Sequence, residues 1–238
     1  MNSFDIGKWV VKLINTSRSY FDLLEFVFDE DAFSTYTRKK SIYRSSPEHI
    51  GLIEVIDSVH KEYFTREIQD GIEHAIQNYS NQMIVILATY IETIHSEFFQ
   101  SLFSNNNMLI YDYASTNNDH NGYIKLNFIF DADSKEEIIN NLITIAKKNI
   151  LNGSLRKINE RIFKITKYQI DQQLIDSIQS DILDKRNAIV HESIASMIRK
   201  EDIDYYFELT EKYLFELGKA CKKSGASCID QSGWLETT

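Results

Sequence analysis

The chain has 238 residues, of which 43% are hydrophobic and 26% charged, and this composition excludes a disordered protein. Its formal net charge of −9 argues against a protein that coats nucleic acid by charge alone, but it leaves room for a local basic site. With 8 Gly and only 1 Pro, the sequence can carry long uninterrupted helices.

Several features favour a soluble protein of the reducing cytoplasm, without a membrane partner. Cys221 and Cys228 are the only cysteines, which is too few for a disulfide framework, and no Cys/His set has zinc-like spacing. Asp5 and Lys8 interrupt the N-terminal stretch that a signal peptide would need to be apolar. The longest apolar run, 83–91, has about half of the length that a bilayer requires.

The first part of the chain, 1–69, is predicted to be a helical extension packed on a core. Two short amphipathic helices are expected at about 4–15 and 18–28, which are rich in Phe and Leu. Ser46–Pro47–Glu48 is typical of a helix start, with Ser at the cap and Pro at the first helical position. A further helix is therefore predicted from this point.

The strongest helical pattern begins at Asp70. Apolar residues recur every three or four positions as far as Leu102, and no Gly or Pro interrupts residues 72–103. Around 83–91 the helix is apolar on nearly all sides, so we expect it to be central and covered on both sides. Glu92 places a carboxylate within an apolar stripe on its second face.

Residues 104–134 interrupt the helical pattern. Turn-rich segments flank Met108–Tyr113 and Tyr123–Phe130, and the second of these alternates between apolar and polar residues. A small β-hairpin inserted around 108–130 is therefore predicted.

Helices are predicted to resume at Ser134, where Ser-Lys-Glu-Glu has the pattern of a capping box, and to continue to about Leu151. Further helices are expected at about 154–165, 169–186 and 202–222. The tail, 224–238, has no periodicity and is predicted to be loose. The predicted fold class is all-α, a helical bundle whose core spans 70–223.

The segment Asp184–Glu192, DKRNAIVHE, carries the most informative chemistry. If it is helical, Asn187 and His191 share a face at i,i+4, and Arg186 lies about 140° around the axis from His191. The long Arg side chain can still bring its guanidinium to the same point. Arg can hold the non-bridging oxygens of a phosphodiester while His transfers a proton near neutral pH. The alternative is a solvated Arg at a helix end and a His that caps a turn.

RNAIVH resembles the R-N-x-x-x-H signature of the HEPN superfamily, all-α domains that include metal-independent endoribonucleases and toxin components. The helix containing ILATYIETIHSEFF is similar to the first core helix of that fold, in which an acidic residue often lies near the motif, and Glu92 matches that position. RKEDIDYYFELTEKYLFELGKAC resembles its closing helix. The resemblance covers roughly residues 70–223 and leaves the N-terminal part and the predicted hairpin as elaborations.

The resemblance implies a bundle of four or five helices that forms a homodimer with two facing motifs. It further implies RNA cleavage by attack of the ribose 2′-hydroxyl on the adjacent phosphate, without metal or cofactor. In that scheme His191 is the general base or acid, Arg186 stabilises the transition state, Asn187 orients its neighbours and Glu92 positions Arg186 or His191. It also suggests a toxin or anti-phage defence component with an antitoxin or regulatory protein as partner. One branch of the family has Tyr two residues after the His; this chain has Ser193.

A basic stretch upstream of the motif could bind RNA. Between residues 147 and 167 the only acidic residue is Glu160. The candidate RNA-binding residues are Arg156, Lys157, Arg161, Lys164 and, beside the motif, Lys185. The alternative is the solvated face of an amphipathic helix.

Two other functions are possible from the sequence. A HEPN-like domain could bind RNA, a nucleotide or a protein partner without catalysis, or the chain could be a helical interaction protein in which Arg186 and His191 are structural. Glu92-x-x-His95 has the spacing of half a di-iron site, but the second such motif that this site needs is missing, so we expect no metal site.

Overall fold

A computed structural model describes residues 3–39, 43–46, 49–54, 58–114, 129–192, 197–231 and 233–235. The described chain is mostly helical, which confirms the predicted all-α class. The helices are α1 (Ile6–Val27), α2 (Glu30–Lys39), α3 (Ser58–Asn105), α4 (Lys135–Ile150), α5 (Leu155–Thr166), α6 (Gln172–Ile178), α7 (Lys185–His191) and α8 (Lys200–Lys223). A 3-10 helix, Asn107–Ile110, follows α3, and a π-helical turn, Gln179–Asp184, joins α6 to α7.

Two small strand pairs accompany these helices in the described residues. β1 (Phe4–Asp5) pairs in parallel with β4 (Cys228–Ile229) and joins the two ends of the described chain. β2 (Tyr43–Ser46) pairs antiparallel with β3 (His49–Glu54).

The predicted central helix is α3, and it extends further toward the N-terminus than its strongest pattern. Gly71 is its only Gly, and it contains no Pro. Its middle, around Ile84, Leu87 and Ile91, is fully buried. Helix α8 packs along α3 and α1 packs on α8, so apolar stripes from all three helices form one core.

The two short N-terminal helices predicted at 4–15 and 18–28 are in fact one helix, α1. The side chain of Asp5 caps it by accepting a hydrogen bond from the backbone N–H of Lys8, at 3.0 Å. The polar residues between the two predicted helices continue α1, and Thr16 and Ser19 donate their hydroxyl hydrogens to carbonyls one turn earlier.

Helix α3 runs without interruption through residue 69, where the core was expected to begin. Phe4, Ile6 and Trp9 are at most 1% exposed and belong to the same core as α3 and α8. The N-terminal residues of the described chain therefore share one core with α3 and α8.

The helix start predicted at Ser46–Pro47–Glu48 is wrong. Ser46 and His49 are paired residues of β2 and β3, and the helix begins only at Ser58. Ser-Pro is as typical of a turn as of a helix start, and β-branched Ile50 and Ile53 favour strands. Pro47 and Glu48 lie outside the described residues.

The first half of the hairpin predicted around 108–130 is not a strand. Residues Asn107–Ile110 form the 3-10 helix, capped by Asn106, and Ile110 and Ala114 are buried against the core. Of the second predicted strand, Tyr123–Phe130, the residues up to 128 lie outside the described part of the chain, and the last two are helical.

The tail expected to be loose is packed over its described length. Asp230 accepts hydrogen bonds from the backbone N–H groups of Trp234 and Leu235, at 2.9 and 3.0 Å. Trp234 stacks on Phe215 of α8, with ring centroids 6.4 Å apart. The tail therefore covers α8 and carries β4 to β1.

Gly218 of α8 marks a close approach of this helix to both chain ends, and it gives a test of the packing. A Cβ at this position would overlap Ile6 Cδ1 and lie 2.9 Å from Leu235 Cδ2. We predict that Gly218→Ala lowers the free energy of unfolding by about 1–3 kcal/mol, although Ala is the better helix former. Urea denaturation measures this change.

Gly71→Ala is the matched control, because Gly71 also lies within a helix and a Cβ there would have no neighbour within 4 Å. It should leave stability unchanged or raise it by up to ~1 kcal/mol. Equal effects of the two substitutions would contradict the packing of α8 against α1 and the tail.

Candidate functional site

The motif helix α7 is the end of one continuous helical run that starts at α6. The run is held to the core by Ile175, Ile178 and Ile182, each fully buried. It starts slightly later than predicted and continues to His191, so the whole R-N-x-x-x-H segment is helical. No residue of α7 itself is buried. The motif therefore lies on an outer surface of the bundle.

A π-helical turn, Gln179–Asp184, lies immediately before the motif helix α7. A π turn is wider than an α turn, and such turns often occur at functional sites. Gln179 anchors this one: its side-chain oxygen accepts from the backbone N–H of Leu155 at 3.0 Å, and its amide donates to Asp184 at 2.7 Å. The position of the motif is thus tied to the start of α5.

Arg186 reaches from α7 to the surface of α3. Its Nη2 lies 3.2 Å from Glu92 Oε1 and its Nη1 donates to Asn187 Oδ1 at 3.0 Å. The Arg186 side chain is 27% exposed and that of Glu92 is 56% exposed. An ion pair with this exposure contributes at most about 1 kcal/mol to stability. Its clearer effect is to fix the direction of the guanidinium.

His191 is the last residue of α7 and is exposed. It lies one turn after Asn187 on the same helix face. Within the described residues its imidazole makes no hydrogen bond or ion pair. The structure thus joins Arg186, Asn187 and Glu92 by direct contact, and His191, on the same short helix as Arg186 and Asn187, has no partner among the described residues.

Lys185 is engaged with α8. Its ammonium group donates to the hydroxyl of Tyr206, lies over the ring of that residue at 4.8 Å and is 3.8 Å from Asp181. Tyr206 is a buried residue of α8 that was not among the site residues predicted from the sequence. Lys185 therefore fastens the start of α7 to α8.

Two of the basic residues on α5 bind other groups of the protein, and two have no partner among the described residues. Arg156 pairs with Asp176 at 2.8 Å, and Arg161 donates to the carbonyls of Ile150 and Asn152, at 2.5 and 2.6 Å. Arg161 thus satisfies carbonyls at the end of α4. Exposed Lys157 and Lys164 make no ion pair or hydrogen bond with any described residue. Among the four candidates on α5, these two have ammonium groups available to an external phosphate.

Comparisons with protein-family models, with curated proteins and with solved structures found no match. Among the described helices, none is both long and apolar enough to span a membrane.

The two residues of the Glu92-x-x-His95 pattern point in different directions. Glu92 faces outward to Arg186, whereas His95 is 3% exposed and its Nε2 lies 2.5 Å from the hydroxyl of Tyr213. The two rings meet edge to face at 5.3 Å. Within the described residues no group of three or more His, Cys, Asp or Glu side chains is arranged to hold a metal ion.

Burial lowers the pKa of His95 to about 3, because the charged imidazolium would lose its hydration in the core. Burial likewise raises the pKa of Tyr213. Both groups are therefore neutral around pH 7, and their hydrogen bond joins α3 to α8 without a charge.

The buried imidazole predicts acid sensitivity. A His whose pKa is lower in the folded state binds its proton more readily when unfolded, so stability falls as the pH falls from about 6.5 toward 3. His95→Gln, which keeps a polar side chain facing Tyr213, should reduce this loss by up to about 1.4 kcal/mol for each pH unit in that window. Urea denaturation at several pH values measures the slope.

His74→Gln serves as the control, since His74 is an exposed residue of the same helix. It should leave the pH dependence of stability unchanged. Identical slopes for the wild type and His95→Gln would contradict a neutral, buried His95.

Proposed function

We propose that the protein is a metal-independent endoribonuclease of the HEPN type that acts in a toxin or anti-phage defence system. The observation that carries the proposal is the position of the Arg186 guanidinium, which contacts Asn187 on α7 and Glu92 on α3. The exposed His191 lies on α7 as well. This is the group of residues that the motif resemblance implies, and two helices far apart in sequence contribute to it.

The chemistry follows from what each side chain can do. Arg186 keeps donors that Glu92 and Asn187 do not use, and these can bind the non-bridging oxygens of a phosphodiester. His191 takes the proton from the ribose 2′-hydroxyl as the O2′–P bond forms, or gives a proton to O5′ as the P–O5′ bond breaks. The products are a 2′,3′-cyclic phosphate and a 5′-hydroxyl. The additional charge on phosphorus in the transition state is stabilised by the guanidinium.

A homodimer would supply both proton transfers. In-line displacement places the entering and leaving oxygens on opposite sides of phosphorus, and one imidazole serves only one of them at a time. Two facing copies of α7 would provide one His191 for each role. Val190, which precedes His191 on α7 and is 49% exposed, offers apolar surface for such a contact.

RNA binding is proposed to rest on Lys157 and Lys164, whose ammonium groups have no partner in the part of the chain that the structure describes. The other basic candidates, Arg156, Arg161 and Lys185, already have partners within the protein. We therefore propose that they stabilise the positions of α5 and α7 and do not bind phosphate. A single scissile phosphate at a small site is compatible with a net charge of −9. An antitoxin or regulatory protein is the partner that a toxin of this kind would need.

The test is cleavage of RNA by the purified full chain in the presence of EDTA. We predict that the wild type cleaves and that His191→Ala and Arg186→Ala each reduce the rate by at least ~100-fold. His74→Ala is the matched control for the histidine. Arg66→Ala is the control for the arginine, because Arg66 also forms an exposed ion pair, 3.5 Å from Glu62. Both controls should cleave like the wild type.

Other outcomes select the alternatives. RNA that stays intact with the wild type but binds it with an affinity that depends on Arg186 would favour a non-catalytic RNA-binding module. Variants that differ from the wild type only in melting temperature would favour a structural role for the motif. Identical cleavage by all five proteins would refute the proposed nuclease.

A further inference from the structure

A groove on the opposite half of α3 from the motif is lined mainly by apolar side chains. It lies between the end of α1, the helix α2 and the first half of α3, and has a volume of about 640 Å³. A smaller cavity of about 280 Å³ adjoins it and shares Val27, Phe33 and Ile72 with it. Together they form one groove that follows α3 from Glu67 to Tyr79.

The apolar residues of this groove are unusually exposed for their size. Phe26 is 70% exposed, Phe28 58% and Tyr36 51%. Leu23 beside them is 40% exposed. Helix α2, which forms one wall, has no buried residue among those with described side chains, so its apolar face is only partly covered. Clustered exposed aromatic residues of this kind mark interaction surfaces.

The charged residues among the described lining of the groove are all acidic. Glu67 lines the larger cavity, and Glu30 and Glu73 line the smaller one. No Lys or Arg is among the described residues that line either cavity. The exposed hydroxyl of Tyr63 approaches Glu67, which raises the pKa of that Tyr, and the amide of Gln69 donates to Glu73 at 3.1 Å. Carboxylates have further acceptor capacity beyond one such bond.

We propose that this groove binds a cationic amphipathic helix of a partner protein. A groove along α3 from residue 67 to 79 is roughly 18 Å long, which matches about three turns of a helix. Such a helix would place apolar residues at i, i+3, i+4 and i+7 against Phe26, Phe33 and Ile72. Lys or Arg on its flanks would meet the three carboxylates.

The same charges argue against a second copy of this chain as the occupant. A symmetric contact would bring two copies of one acidic surface together, and like charges at an interface cost several kcal/mol. The groove is also separate from the motif, because Tyr79 and Glu92 lie roughly 20 Å apart along the axis of α3. The proposal therefore does not depend on nuclease activity.

The experiment uses synthetic peptides and the full chain. A fluorescent 18-residue peptide with Leu on one helical face and Lys on the other is compared with its Lys→Glu counterpart by fluorescence anisotropy at physiological salt. We predict that the Lys peptide binds and the Glu peptide binds at least ~10-fold more weakly. Phe26→Ala should weaken binding of the Lys peptide by at least ~5-fold, because an exposed aromatic anchor is lost.

Charge reversal provides the second arm. The pair Glu67→Lys and Glu73→Lys should reverse the preference in favour of the Glu peptide. Phe163→Ala and Glu160→Lys on α5 are the matched controls, at an exposed Phe and an exposed Glu away from the groove, and they should change affinity less than twofold. Circular dichroism checks that each variant is folded.

Three results would overturn the proposal. The first is no binding of the Lys peptide by the wild type. The second is equal binding by the groove variants and the α5 variants, which would mean attraction by net charge alone. The third is a wild-type dimer that Phe26→Ala dissociates in sedimentation velocity, because a second copy would then occupy the groove.

Discussion

The packing of α3 against α8 is the contact on which the rest of the molecule depends. Helix α3 buries apolar residues from Met83 to Phe103 and α8 does so from Ile203 to Cys221, and the hydrogen bond between His95 and Tyr213 links the two helices in the core. The ends of the described chain attach to this pair through β1 and β4, where Gly218 allows Ile6 and Leu235 to approach α8. Because the imidazole of His95 is neutral in the core, the contact needs no buried charge.

The candidate site is built on the outside of this helix pair. Glu92 lies on α3 just one turn from buried His95, so the rotation of α3 in the core determines where Glu92 meets Arg186. From the other side, Gln179 in the π turn and Lys185 on Tyr206 fix α7. These contacts keep the guanidinium in place although no residue of α7 is fully buried. Pre-organisation of this kind is what a site for a charged transition state requires.

The sequence predicted the elements whose signal is local and repeated. The long apolar periodicity of α3 and the cap at Ser134 each specify a helix without help from distant residues. The predictions were wrong where a local signal has two meanings, as at Ser46–Pro47–Glu48, or where distant contacts decide the outcome. The tail is held by the short pairing of β4 with β1 and by hydrogen bonds to Asp230. Neither kind of contact produces a repeating pattern in the sequence, so the packing of the tail was not predicted.

The same distinction applies to the site. The spacing of Arg186, Asn187 and His191 could be seen in the sequence, and the resemblance singled out Glu92. The engagement of Arg161 with carbonyls of another helix end and of Lys185 with Tyr206 could not be seen, because both contacts depend on how helices pack. A count of basic residues therefore overstated the surface available to RNA.

The most direct test of the central hypothesis is cleavage of a short RNA beside the same RNA with 2′-O-methyl groups. If the ribose 2′-hydroxyl is the nucleophile, the unmodified RNA is cut to products with 2′,3′-cyclic phosphate and 5′-hydroxyl ends, and the methylated RNA stays intact. Cleavage of the methylated RNA, or products with 3′-hydroxyl ends, would contradict the mechanism assigned to Arg186 and His191.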